Sequence, residues 1–77
     1  MKDYMVTYYW AYTEEALKTS DTRGMSFFYT TQSSYQDAYE AAARQIRIDH
    51  GSNVKYLIVS ITDQTATQYL STGINTD

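Results

Sequence analysis

The 77-residue chain has no cysteine and no proline, a single histidine and three glycines. Without cysteine no disulfide can form, and His50 alone leaves a structural zinc site short of soft ligands. A domain of this size buries roughly 60% of its unfolded surface, so its stability margin is narrow. Of the usual aids to so small a fold, disulfide, metal and oligomerisation, only self-association is left. No apolar run reaches the roughly 18 residues of a membrane span. The N-terminus, Met1-Lys2-Asp3, lacks the basic start and apolar stretch of a signal peptide. The expected location is cytoplasmic, with no membrane partner, in a compartment whose reducing conditions suit a cysteine-free chain.

Basic residues are scarce as well. Six Lys and Arg stand against nine Asp and Glu, a net charge of −3, which opposes tight binding to a phosphate backbone, where Lys and Arg displace counterions. The acidic residues are also too few and too scattered for a DNA mimic.

Catalytic patterns are missing. There is no Gly-x-Ser-x-Gly elbow. The isolated Gly24, Gly51 and Gly73 form no phosphate cradle, and only one imidazole could act as a base. Asp49-His50-Gly51 reads as the end of a helix. Glu14-Glu15, the only adjacent carboxylate pair, falls in a polar segment with nothing to tune its pKa. These absences point to a protein that is not an enzyme and uses no cofactor or metal.

Aromatic residues, by contrast, are plentiful: nine tyrosines, one tryptophan and two phenylalanines. Eight of the twelve lie in two strand-like runs, Tyr4 to Tyr12 and Met25 to Thr31. In the first run the even positions Tyr4, Val6, Tyr8, Trp10 and Tyr12 are all apolar or aromatic, a period of two that marks a strand with its even face toward the core. In the second, Met25, Phe27 and Tyr29 share one face, and Ser26, Phe28 and Thr30 the other. Between the runs, Thr13 to Gly24 is polar and too long for a tight hairpin turn. A mobile loop is expected there, with Gly24 supplying a positive φ.

Ser33 or Ser34 caps a helix, with Gln36 or Asp37 completing a capping-box pattern. Ala38, Ala41, Ala42 and Ala43 favour helix. At about 100° per residue, Tyr35, Ala38, Tyr39, Ala42 and Ile46 form the buried stripe, with Ala41, Arg44 and Ile48 off it. Gly51 ends the helix, and His50 sits in its last turn, where the dipole favours a cation. Val54 to Ile61 is nearly continuous in apolar residues, the pattern of a strand at a sheet centre or against a partner. A turn at Thr62-Asp63-Gln64 leads to a weaker strand at 66–70. Residues 1–3 and 71–77 are expected to fray.

The order strand, strand, helix, strand, with a right-handed crossover, predicts one α+β domain over 1–77. Its core is a small antiparallel ββαβ sheet, extended to ββαββ if the last strand forms, in the order 2-1-3 with one helix on one face. The other face is left uncovered. Tyr4, Tyr8, Trp10, Phe27 and Tyr29 are assigned to the core. Tyr9, Tyr12, Phe28 and Tyr56 are assigned to an exposed aromatic surface, where rigid rings suit interface hot spots. Glu14, Glu15 and Arg23 belong to a polar rim that orders on binding.

The layout of Tyr4 to Tyr8, Gly24 to Phe27, a Ser-capped helix and Tyr56 to Ile61 resembles a class of very short phage-encoded accessory proteins built of a hairpin, a helix and a final strand. The resemblance covers Tyr4 to Asp63 and includes no diagnostic motif. It implies a steric inhibitor of a host protein, such as the anti-CRISPR proteins that act on a host defence complex. The alternatives are single-stranded nucleic-acid binding by aromatic stacking, disfavoured by the sparse cations, and a structural homodimer.

Overall fold

The computed structural model describes residues 1–65 of the chain. Strand β1 runs over Lys2–Ala11, helix α1 over Glu14–Lys18, strand β2 over Gly24–Gln32, helix α2 over Tyr35–His50 and strand β3 over Lys55–Asp63. The sheet order is β2-β1-β3, and both outer strands are antiparallel to the central β1. This is the expected α+β fold. The possible strand at 66–70 and the fraying of 71–77 lie outside the described residues.

Helix α2 covers one face of the sheet. It begins at Ser34, whose Oγ accepts a hydrogen bond from the Asp37 N–H at 3.1 Å, satisfying a donor that the first helical turn leaves free. Ser33 Oγ donates to the Asp37 carboxylate at 2.7 Å, so Asp37 turns toward Ser33 and does not complete a capping box. The helix ends at Gly51, whose φ of 97° is strained for any residue with a Cβ. Its N–H donates to the Arg47 carbonyl at 2.9 Å.

The buried stripe of α2 is Ala38, Ala41, Ala42 and Ile46. Ala41 lies inside it, contrary to the sequence expectation, while Tyr35 and Tyr39 stay about half exposed. The reason is size: three alanines let the helix settle close to a sheet whose inner face already carries large rings. Beneath it lie Tyr4, Val6 and Tyr8, all but fully buried, with Trp10, Phe28, Tyr56 and Ile58 packed around Tyr8, Ile46 and Val54. The ring of Tyr35 packs on that of Tyr4 at 4.9 Å.

Register decides which aromatics join this core. Val6 pairs with Phe28, and Thr7 with Phe27. Phe28 therefore shares the helix-facing side with Val6, while Phe27 and Tyr29 point away. This reverses the expected faces of the second run. On the other flank Trp10 pairs with Tyr56, but the register breaks between Thr7 and Tyr8, which pair with Ser60 and Ile58. Val59 is the extra residue of a β-bulge. The bulge switches the alternation, so Tyr56 and Ile58 before it and Ile61 after it all turn toward the helix side. That explains the change of parity within this nearly continuous apolar run, which belongs to an edge strand.

Three further expectations change. Lys2 and Asp3 are strand residues paired with Gln32 and Thr31. The strand β3 continues through Asp63, where a turn was expected. The segment after Tyr12 is partly helical: Thr13 Oγ1 accepts from the Ala16 N–H at 3.1 Å and caps α1. Thr22 Oγ1 then ties the return to the Ala16 carbonyl at 2.8 Å. Gly24 does not take a positive φ. It is needed because it faces Trp10 across the sheet, and a Cβ at that position would collide with the indole ring.

Candidate functional site

The sheet face turned away from α2 is the most conspicuous surface of the molecule. Along β1 it presents Met5, Thr7 and Tyr9. Register places Tyr29, Phe27 and Met25 beside them on β2, and Thr62, Ser60 and Leu57 on β3. The flanking side chains are open to solvent: Tyr29 69% exposed, Met25 58%, Leu57 53%, Phe27 52% and Val59 48%. Single exposed apolar residues are ordinary, but a contiguous set spanning three strands is not.

One end of this outer face is finished by α1. The helix packs against the ends of β1 and β3, and Ala11 is buried there. Arg23 fastens the corner. Its guanidinium lies 3.7 Å from the Tyr9 ring centroid and donates to the Leu17 carbonyl at 3.3 Å, a cation–π contact that keeps the charge at the rim. Glu14 and Glu15 are exposed in the first turn of α1.

Of the residues expected at an exposed aromatic surface, only Tyr9 lies on this face, half-buried under Arg23. Phe28 and Tyr56 face the helix side and pack on the core. Tyr56 also lies 5.6 Å from the Arg47 guanidinium, whose Nη2 reaches its hydroxyl at 3.4 Å. Tyr12 is exposed, but its hydroxyl donates to the His50 carbonyl at 2.9 Å. Glu14, Glu15 and Arg23 do flank the outer face, on an ordered helix and its return and not on a mobile loop. Met5, Met25, Phe27, Tyr29, Leu57 and Val59, which make up most of the surface, escaped the sequence reading. The signal that could have found them is parity: an antiparallel partner of β1 must place its outward residues opposite Met5, Thr7 and Tyr9.

Among the described residues, the one arrangement resembling acid–base chemistry lies on the helix side. Tyr8 hydroxyl and His50 Nε2 share a hydrogen bond of 3.0 Å. Burial pushes the Tyr8 phenol above its ordinary value; the nearby Ser26 side chain opposes this and the negative charge of Asp49 adds to it. The His50 ring stacks on Trp10 at 4.2 Å between centroids, and Tyr12 packs edge-on against the same indole at 5.8 Å. The imidazole is thus held between β1 and the end of α2 as a latch. A cleft of about 280 Å³ lined by Asp3, Tyr4, Tyr29, Thr30, Thr31 and Gln64 lies toward the other end of β1 and contains no imidazole.

Comparison with known proteins gives no match: no family model, curated protein or solved structure aligns with the chain. No described helix is long and apolar enough to cross a membrane.

Proposed function

We infer that the protein is a non-catalytic binding module that acts by covering a surface of another protein with its outer sheet face. The observation that carries this reading is the contiguous exposure of Met25, Phe27, Tyr29, Leu57 and Val59 around the central Met5, Thr7 and Tyr9. Rigid rings and flexible methionines together make adaptable contact area at small entropic cost. The partner that fits has an apolar patch with a basic fringe, because Glu14 and Glu15 are exposed beside this face and the chain carries a net −3. The mechanism is steric occupation. Inhibition of a host protein by a phage product is one such use; it rests on the layout of strands and helix alone.

The experiment is site-specific photocrosslinking in the cells that produce the protein. A photoreactive phenylalanine analogue at Leu57 should capture a protein, and the same analogue at Ile48, exposed on the opposite side of the molecule, should not. Equal capture at both positions, or none at Leu57, overturns the reading.

Phe27 and Tyr29, open on adjacent alternating positions, are the observation that favours base stacking by single-stranded nucleic acid. The charge opposes it: Lys18, Arg23 and Lys55 are the cations near the outer face, Arg23 already lies on Tyr9, and Glu14 and Glu15 share the short helix with Lys18. An oligonucleotide shift at low salt that disappears as salt rises would transfer the face to that ligand.

A further inference from the structure

The two edges of the sheet are unequally protected. An edge strand offers unpaired N–H and C=O groups to any extended chain, and folded proteins blunt such edges with charge, proline or bulges. The β3 edge has two such features, the bulge at Val59 and the charged ends Lys55 and Asp63. The β2 edge has none. Gly24-Met25-Ser26-Phe27-Phe28-Tyr29-Thr30-Thr31-Gln32 is nine residues without charge or proline, and it pairs with β1 with no break in register. Among the described residues β1 is its one strand neighbour, and no side chain of β2 is fully buried.

We propose that β2 is a dimerisation edge, pairing antiparallel with β2 of a second copy about a two-fold axis at Phe28. The product is one six-stranded sheet in the order β3-β1-β2-β2-β1-β3. Register follows from the alternation of faces, because a slip by one residue would put the outward Phe27 and Tyr29 opposite inward side chains. Full overlap of the nine residues satisfies the alternation. It sets Phe27 opposite the partner's Tyr29 twice, once on each side of the axis, and Met25 opposite the partner's Thr31. Cross-strand aromatic pairs of this kind stabilise a sheet.

Two features select a second copy over an unrelated extended peptide. The strand is self-complementary about its own centre, as an isologous two-fold contact requires. It is also neutral throughout, so two identical strands meet without repulsion. The assembly closes at two, because the outward edges left are the guarded β3 strands. It leaves the outer face open and makes it continuous across both copies, so the dimer is separate from the contact inferred above.

The absence of cysteine makes the test direct. Directly opposed residues in antiparallel strands have Cα atoms about 4.5–5.5 Å apart, within the range that a disulfide spans. Wild-type protein should sediment as a dimer. Under mild oxidation a mixture of Phe27→Cys and Tyr29→Cys proteins should cross-link, whereas neither variant alone should. The pair Met25→Cys and Thr31→Cys provides the same readout at less bulky positions, and circular dichroism checks that each variant is folded. A wild-type monomer at every soluble concentration overturns the proposal. So does a dimer that cross-links through Leu57→Cys, which would place the contact on β3 or face to face. The Leu57 photocrosslinking result is read independently, so either inference can fail alone.

Discussion

The two faces of the sheet share the same three strands and differ in what covers them. The inner face sets Tyr4, Val6 and Tyr8 against an alanine-lined helix, and all three are almost fully buried. The outer face has fewer rings, Tyr9, Phe27 and Tyr29, together with Met5, Met25, Leu57 and Val59, and its flanking strands leave Met25, Phe27, Tyr29 and Leu57 more than half exposed. Apolar composition alone therefore does not identify a core. What separates the faces is a complementary layer: small residues on α2 accept the large ones beneath, and no described element does this for the outer face beyond the end closed by α1 and Arg23. A small domain draws its narrow stability from the covered face, and the other stays open to solvent.

The comparison can be broken most forcefully from the inner side. Ile46→Ala removes a side chain only 1% exposed, and truncations of this kind cost about 2–5 kcal/mol. Urea unfolding should show a loss in that range, which for so small a domain leaves much of the protein unfolded. A loss below about 1 kcal/mol would mean that the helix face is not the core.

A smaller effect is expected at Gly24, where the sheet itself is tightly fitted. Gly24→Ala places a Cβ against the Trp10 indole, and overpacking of this sort costs about 1–3 kcal/mol. Tryptophan fluorescence should shift as the ring moves. An unchanged spectrum and midpoint would contradict the close approach of strand and indole.

The smallest effect concerns pH. Because the Tyr8 phenol is raised in the folded state, the unfolded chain loses its proton first, near the ordinary value of about 10. The contribution is complete below that pH and falls as pH climbs toward the folded value. Tyr8→Phe should flatten the alkaline decline in stability relative to wild type. The same alkaline slope in both proteins would place Tyr8 outside the buried latch with His50.

Much of this fold is legible in the residues, for physical reasons that also mark where legibility stops. The even face of β1 declares itself because every even position is apolar, and Ser34 and Gly51 declare α2 because helix ends require their chemistry. The faces of β2 were misread because Phe27 and Phe28 are adjacent, leaving parity to be set by register. Register in turn depends on the path from Tyr12 to Gly24, whose short helix α1 is too brief to show a hydrophobic period. The β3 run was ambiguous because the bulge at Val59 interrupts the alternation. Both failures bear on the site: they exchanged Phe28 and Tyr56 for Phe27, Tyr29 and Leu57. The half-covered Tyr9 and the flanking Glu14, Glu15 and Arg23 fall together at the outer face, as their polarity and parity imply without any knowledge of register.

The claim that the outer face serves contact and not folding is tested most directly by urea unfolding of a Leu57→Thr/Val59→Thr double variant. Threonine keeps the β preference of these positions while removing their exposed apolar surface. Stability should stay within about 1 kcal/mol of wild type, while capture by a photoreactive phenylalanine analogue at Met5, on the outer face of the central strand and away from the β2 edge, is lost. A loss of several kcal/mol, matching that of Ile46→Ala, would contradict the account by making the outer face a second core face.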